Sequence, residues 1–572
     1  MMTSTQKEKI TTRQVFSMIF KDRQVLAVLI LGLASGLPYA AVGGTLNAWM
    51  TTAGVKTSTI GLLSWAGLAY AFKFTWAAAL QSRRTPFRLN IGPRRFWMFV
   101  FQILITIGLF IIAFSHPEQG VGKIALLAVL IAVASASFDI VSAAWKIEIA
   151  RDDHHLDILA TTEQFGYRFS SLLSGFVAFL LAEQFGWRPV FIGGACLMAT
   201  TIIGVIIAQP IPLAQTYLDE KKVVLREGIN LSPKLRHGAT LITLVGWLVA
   251  FYLIGSFMFG AIHDPEHFKI RDFMRHQSPI VIGLTVGVLC ISSAYLVYKN
   301  TALTNEKNKS ITSKDLKHHT VLDILYIAII EPMMEIIRRF KWATVLILAL
   351  VMTYRFTDAI WGSFAYPFYM GENYGALGHT LTEVGVASKF FGIIATVLGI
   401  ALGGFSMLKF GRLPVLVFGA IIAAATNFIY ADLAGGAHGM DTFLRLTYLD
   451  SLVGNGNKDF FHIHLDQRMM RLIVTIFIEN LAGGIASAAI IAYLSSIVNK
   501  NYAAVQYALL VSLTFLFGTL GRPLIGEIIE DKGFAYTFIL CAWLGIFAVV
   551  LAILEWIRQI RTVKKKTCGL TS

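Results

Sequence analysis

Seven ionisable side chains stand inside long apolar runs of this sequence: Lys73, Asp139, Arg168, Arg355, Asp358, Lys389 and Glu479. An isolated charge in hydrocarbon costs ~2.5–3.5 kcal/mol even on the gentlest scales, so each needs a partner, an aqueous cavity or a task. Arg355 and Asp358 are three apart, share a helix face and can neutralise each other. Asp139 and Arg168, in neighbouring runs, form a second candidate pair. Lys73, Arg168, Arg355 and Lys389 are suited to substrate carboxylates, which guanidinium and ammonium groups match well. Asp139, Asp358 and Glu479 offer acceptors for sugar hydroxyls or for protons. Glu479 lies deep in an apolar run, and its nearest cation along the chain is Arg471, two turns away. A carboxyl group so placed is a candidate proton carrier, with an Arg471 pair as the purely structural alternative. Asn480, Gln506 and Tyr507 add neutral hydrogen-bonding groups suited to sugars or amides. Trp65, Tyr70, Trp76, Tyr167 and Tyr354 are candidate stacking platforms, although a single aromatic more often serves packing.

Other chemistries find less support. His462 and His464 alternate near His438, Asp459 and Asp466, but no third metal ligand has a characteristic spacing, and an exposed loop is the better reading. His154 and His155, beside Asp152, Asp153 and Asp157, read as a solvated loop. Cys196, Cys290, Cys541 and Cys568 are scattered without disulfide or metal spacing. The Gly32–Gly36 spacing and Gly43-Gly44 lack the strand–turn–helix setting of a phosphate loop. Gly399, Gly403, Gly404, Gly483 and Gly484 suit close helix approach. No catalytic triad or metalloprotease signature is found. The chain therefore reads as a non-enzyme, with no cofactor and no metal.

The elements that must position these residues are long and apolar. Hydrophobic residues make up 56% of the 572 and charged residues only 15%, against about 45–50% and about 25% in soluble domains. Val25–Leu46, Thr59–Leu80, Phe96–Phe114 and Ile124–Trp145 are each long enough to cross a ~30 Å hydrocarbon core. Continuing the count predicts fourteen spans, at 25–46, 59–80, 96–114, 124–146, 160–181, 189–209, 238–260, 278–298, 342–364, 383–407, 413–431, 472–497, 504–520 and 534–556. They group as a cytoplasmic segment (1–24), a six-helix bundle (25–209), a linker with two extra spans and a cytoplasmic segment (210–341), a second six-helix bundle (342–557) and a basic tail (558–572). Val321–Glu335 reads as an amphipathic helix at the inner surface, since Leu322–Ile330 is too short to cross.

The net charge of +15 collects in alternate loops. Lys7, Lys9, Arg13, Lys21 and Arg23 precede the first span; Arg83, Arg84, Arg88, Arg94 and Arg95 follow the second; Lys221, Lys222, Arg226, Lys234 and Arg236 follow the sixth; Arg338, Arg339 and Lys341 precede the ninth. With Lys564, Lys565 and Lys566 in the tail, this places both termini in the cytoplasm. The basic charge thus reads as membrane topology, not as nucleic-acid binding. The first span has no small-residue cleavage site after a short apolar run and reads as a retained signal anchor. A weak internal echo links the two halves: Lys73-Phe74 and Lys389-Phe390 each sit in a span that ends on a basic turn.

Several segments together carry a family resemblance. They are Gly32-Leu-Ala-Ser-Gly-Leu-Pro38, Gly43-Gly-Thr-Leu-Asn-Ala-Trp49, Lys73-Phe-Thr-Trp-Ala77, Phe138-Asp-Ile-Val141, Ala144-Trp-Lys146 and Phe165-Gly-Tyr-Arg168, then Tyr354-Arg-Phe-Thr-Asp358, Lys389-Phe-Phe-Gly392, Gly403-Gly404, Phe477-Ile-Glu-Asn480 and Gln506-Tyr-Ala-Leu-Leu510. In this order the chain resembles the muropeptide permease (AmpG) family of the major facilitator superfamily over most of its length. The resemblance implies an all-α polytopic fold of two six-helix bundles plus two helices, fourteen in total. It implies import of N-acetylglucosaminyl-1,6-anhydro-N-acetylmuramoyl peptides across the bacterial inner membrane, driven by protons and feeding peptidoglycan recycling. It also points to Asp139, Arg168, Asp358, Lys389, Glu479 and Asn480 as functional positions, with Lys73 beside them. The expected partners are this substrate, protons and membrane lipids, and a monomer suffices. The competing reading is a facilitator for another anionic metabolite, such as an acyl-coenzyme A or a carboxylated sugar. Two positions depart from the family pattern: Ala143 replaces a second aspartate one turn after Asp139, and Gln81 replaces an acidic residue after the second span.

Overall fold

The computed structural model describes residues 22–81, 92–151, 153–210, 231–264, 267–306, 320–453, 459–460, 463–499 and 503–568. The basic residues Lys7, Lys9, Arg13, Lys21, Arg83, Arg84, Arg88, Lys221, Lys222 and Arg226, and also Asp152 and His462, lie outside them. Apart from a two-residue β-pair, Asp459–Phe460 with Ile463–His464, the described chain is helical. The chain divides into two compact units.

The first unit comprises Met1–Thr45, Ala79–Ser115 and Leu126–Lys222. It holds most of α1 (Arg23–Thr52), then α2 (Pro93–Ala113), most of α3 (Gly122–Ile149), α4 (Asp153–Leu172), α5 (Ala178–Phe185) and α6 (Trp187–Ile207). Asp22 caps α1 by accepting from the Gln24 N–H at 2.8 Å. Pro93 opens α2 behind Gly92 at φ 82°, a first-turn use that sacrifices no helical bond. Glycine sets the α1–α4 spacing. A Cβ on Gly32 would stand 2.5 Å from Glu163 O, and one on Gly166 2.4 Å from Leu29 O, so these backbones touch. Two ion pairs tie the neighbours: Arg94 to Glu148 at 2.8 Å, and Lys146 to Glu163.

The second unit comprises Leu46–Ala78, His116–Ala125 and Val223–Ser572. Its first helical run is broken into α7 (Thr57–Leu63), α8 (Leu68–Phe72) and α9 (Phe74–Gln81). There follow α10 (Pro233–His263), α11 (Ile270–Ala302), α12 (Val321–Leu325), α13 (Glu331–Phe340), α14 (Ala343–Tyr354), α15 (Phe356–Met370), α16 (Leu381–Phe410), α17 (Arg412–Ala434), α18 (His438–Leu446), α19 (Gln467–Ile497) and α20 (Ala503–Cys568). Its core joins Trp65, Phe257, Phe273, Tyr326, Met333, Leu350, Tyr493 and Leu513. The segment read as a surface helix is helical and partly buried. Tyr326, Ile330, Glu331, Met333 and Glu335 are all inside, and a capping box of Thr320 and Asp323 starts it. Asp323 also meets His237 Nε2 at 3.0 Å and Arg236 at 3.6 Å, which pins this segment to the start of α10.

The expectation of fourteen spans arranged as six, two and six is corrected. Eleven described helices are long and apolar enough to cross a membrane, and α14 with α15, bent by 42°, makes a twelfth. The excess arose at two places. The predicted span 59–80 is interrupted by the Ser64–Gly67 turn and again at Lys73, leaving segments of 7, 5 and 8 residues. The predicted spans 504–520 and 534–556 fall in one run, Leu509–Thr562, which turns at Gly533 with φ 80° and ψ 172°. Apolar composition alone does not register the breaks within 59–80, whereas the turn at Gly533 falls between the two stretches read as separate spans. The molecule is an all-α, polytopic membrane protein.

Outside the spans, α18 is fastened to α19 by Asp441, which accepts from Arg471 Nε and Nη2, both at 2.6 Å. Hydrogen bonds from Arg471 hold the Asp441 carboxyl below the usual range, against a smaller opposing effect of burial. A carboxyl with a depressed folded-state pKa adds stability that is fully present above its unfolded value of about 3.9. That stability is lost as pH falls through the lower folded value. Asp441→Asn therefore lowers the thermal midpoint at pH 7, and its gap from the unmodified protein closes below about pH 4. Thermal unfolding in detergent across pH 3–7 reads this; a gap independent of pH would refute it.

Candidate functional site

The span made by α14 and α15 breaks at Arg355, whose backbone stands at φ −106°, ψ 15°. Discontinuous membrane helices are where transporters commonly place polar binding groups, because the break frees backbone groups and aims side chains. Arg355 Nε lies 3.0 Å from Asp358 Oδ2, an i,i+3 contact on the following turn. That contact has ion-pair distance without hydrogen-bond alignment, so Nε keeps its donor unused. Arg355 Nη1 also donates to Ser487 Oγ on α19. The two charged side chains are 24% and 20% exposed, neither sealed in the core nor free in solvent.

The partner helix α19 brings Glu479 and Asn480. Asn480 Nδ2 donates to Glu479 Oε2 at 2.7 Å and to Ile476 O at 2.9 Å, and Asn480 Oδ1 accepts from Thr396 Oγ1 at 3.1 Å. Glu479 lies within electrostatic reach of both Asp358 and Arg355. Glycine makes this convergence possible. A Cβ on Gly399 of α16 would stand 2.2 Å from Leu481 O, and one on Gly484 of α19 would stand 2.5 Å from Thr396 O. The two helices therefore meet at backbone contact and clamp Asn480 against Thr396. Tyr369 and Tyr430, both buried, share a hydroxyl–hydroxyl bond of 2.8 Å and lie within electrostatic reach of Glu479. The alternative partner for Glu479 named from the sequence, Arg471, is committed to Asp441.

Lys389 sits in a π-helical turn, Gly385–Phe391, inside α16. Such turns insert a residue into the helical ladder and recur at functional sites. Its Nζ lies 5.7 Å from the centre of the Tyr366 ring, a cation–π contact. The second unit also contains Lys73, half-buried at the break between α8 and α9. In the first unit, Asp139 accepts from Ser35 Oγ, Arg168 is exposed on α4, and half-buried Tyr167 faces Tyr39 with ring centres 6.3 Å apart. Among the described residues, Lys73, Arg168 and Lys389 have no carboxylate partner. The structure thus gathers Arg355, Asp358, Glu479 and Asn480 into one polar group.

Other sequence candidates are placed elsewhere. Gln506 is buried, accepting from Asn499 N at 2.8 Å and donating to Glu335 Oε2 at 2.7 Å and Pro332 O at 2.9 Å. It fastens α13 to the start of α20. Tyr507 is half-buried against the apolar core. Trp65 is 2% exposed, packs on Phe273 at 5.1 Å and donates Nε1 to Leu520 O. Trp76 packs on the same core, Tyr70 is partly buried, and the Tyr354 hydroxyl donates to Leu416 O at 2.8 Å. Sequence reasoning missed Ser35, Thr396, Tyr366, Ser487 and the Tyr369–Tyr430 pair. Only Ser487 carried a signal, standing two helical turns beyond Glu479 on the same face. No group of three or more His, Cys, Asp or Glu able to hold a metal ion occurs among the described residues.

No protein-family model matches the chain. The anhydromuropeptide permease of Escherichia coli K12 is 26% identical over 519 residues, covering 90% of this chain and 76% of that protein. Among solved structures, the POT family transporter PepTSo superposes with a TM-score of 0.56 at 12% identity, over 94% of this chain and 98% of that one. A D-xylose–proton symporter does so with a TM-score of 0.51 at 14% identity, over 94% and 97%. Likeness at such identities speaks to fold, and that fold is the major facilitator type. The curated relatives are transporters, which supports transport rather than catalysis. The chain has a major facilitator-type fold and is similar, at 22–26% identity, to the anhydromuropeptide permease and to proteins named as AmpG transporters.

Proposed function

We propose that this chain imports anhydro-muropeptides, N-acetylglucosaminyl-1,6-anhydro-N-acetylmuramoyl peptides, across a bacterial inner membrane in symport with protons, by alternating access. The observation that carries the reading is the charged group at the broken span: Arg355 against Asp358, with Glu479 and Asn480 within reach. A static salt bridge needs neither the break nor the second carboxylate. A site that binds an anion and exchanges a proton needs both. In this reading Arg355, Lys389 and Arg168 receive substrate carboxylates, with Lys73 and Tyr167 alongside. Asp139 and Asp358 orient those cations, Asn480 takes sugar or amide groups, and Glu479 carries the proton, with Asp139 as a second acceptor. Gln506 and Tyr507 keep a lesser part, since their observed contacts serve packing. The proton is the only coupling species required, both termini are cytoplasmic, and the monomer is the working unit. The family-level likeness to the Escherichia coli permease supports this choice of substrate.

The carboxylates of the substrate make the test. Purified protein binds an anhydro-disaccharide tripeptide, and amidating the peptide carboxylates weakens binding by about tenfold or more, the loss of at least one charge-assisted hydrogen bond. Equal affinity for both forms would remove the anionic-substrate reading. Preferential binding of a coenzyme A thioester, lost with its phosphates, would replace the substrate.

A further inference from the structure

An apolar crevice of about 630 Å³ lies in the second unit among α11, α15 and α20. Pro279, Ile282 and Gly283 form one wall, Ile360 the back, and Leu524 and Leu540 the other wall. Gly283 keeps it open, since no atom lies within 4 Å of where its Cβ would stand. Its volume falls in the range of sites that enclose small molecules, yet its lining offers almost nothing to hydrogen-bond. All three helices belong to candidate membrane spans, and the apolar lining suits hydrocarbon better than water.

The polar end of the crevice has a built rim. Arg271 reaches across to α20, with Nε 2.8 Å from Glu527 and Nη2 on Asp531, so that cation is committed to two carboxylates. Arg275 is different. It stands one turn before the lining residue Pro279, is exposed, and has no carboxylate partner among the described residues; His276 is exposed beside it. Lys269 and Asp272, also exposed at this end, offset each other in charge. A guanidinium with no carboxylate partner among the described residues, one turn from the lining of an apolar crevice, complements a lipid phosphate.

We propose that this crevice binds an anionic phospholipid, one acyl chain lying between α11 and α20 and the phosphate on Arg275. None of Arg355, Asp358, Glu479 and Asn480 lines the crevice, and the proposal does not depend on which substrate is carried. The test reconstitutes the full chain with equal amounts of phosphatidylglycerol and phosphatidylethanolamine and counts retained lipids by native mass spectrometry. The unmodified protein retains one phosphatidylglycerol in preference. Arg275→Gln lowers that preference about fivefold, the scale of one basic residue near a charged headgroup. Gly283→Phe, which fills the crevice, removes the retained lipid. Equal retention of both lipids by the unmodified protein overturns the proposal, and so does a dimer that retains no lipid. Should Gly283→Phe fail to fold, the exposed Arg275→Gln decides alone: an unchanged preference there overturns the proposal too.

Discussion

Replacing Glu479 by Gln is expected to abolish uphill accumulation of substrate while leaving exchange of substrate across the membrane largely intact. Glutamine keeps the size of the side chain and the hydrogen bond to Asn480, seen at 2.7 Å in the native protein. It cannot take up or release a proton. A coupled carrier deprived of its proton site still rocks and still binds, because neither step needs the charge to change. It loses only the linkage between the two flows, so internal substrate stops at the external concentration. The observed surroundings favour this outcome over mere destabilisation. Glu479 has no cation in hydrogen-bond contact among the described ion pairs, and its neighbours are Asn480, Asp358 and Arg355. Accumulation and counterflow, measured in the same proteoliposomes, separate the cases. Loss of both would make Glu479 a binding or folding residue, and retention of both would leave it no role in coupling.

The second large effect is expected at Arg355. Arg355→Gln leaves the Asp358 carboxylate without its counter-ion and removes the donor to Ser487. Breaking a well-buried pair costs 3–5 kcal/mol. With both side chains about one-fifth exposed, a loss of about 2 kcal/mol is the better expectation here. Asp358→Asn in the same chain removes the orphaned charge and restores most of that stability. Transport separates the two accounts. If the pair were purely structural, the double variant would transport nearly as well as the native protein. If Arg355 receives a substrate carboxylate, the double variant stays slower by about tenfold to a hundredfold at low substrate, the worth of one charge-assisted hydrogen bond. Recovery of both stability and transport would reduce Arg355 to a structural residue.

The sequence made the chemistry easier to read than the count of elements. Charges in apolar runs stand out against composition, and the i,i+3 spacing of Arg355 and Asp358 led directly to the contact seen at 3.0 Å. Interhelical partners were not legible, because they depend on which faces meet. Ser35 on Asp139 and Ser487 on Arg355 join residues 104 and 132 positions apart, which no local pattern reports. Gln506 looked like a ligand for amides because a buried glutamine and a binding glutamine have the same one-dimensional surroundings. Its partner, Glu335, is 171 residues away. The number of spans failed for a related reason. Hydropathy averages over a window, so it passes smoothly through the breaks at Ser64–Gly67 and Lys73 and assigns a whole span to three short helices. Breaks at Lys73 and Arg355, and a π-turn at Lys389, place three of the four intramembrane cations on irregular backbone. That coincidence became visible only in three dimensions.

Proton-coupled import is the central claim, and one measurement meets it directly. Purified protein in liposomes is given labelled anhydro-muropeptide with an inward proton gradient, with and without an ionophore that collapses it. The account predicts accumulation above the external concentration, abolished by the ionophore and competed by unlabelled anhydro-disaccharide. Accumulation indifferent to the ionophore, or no uptake by folded protein that still takes up another anionic metabolite, would contradict it.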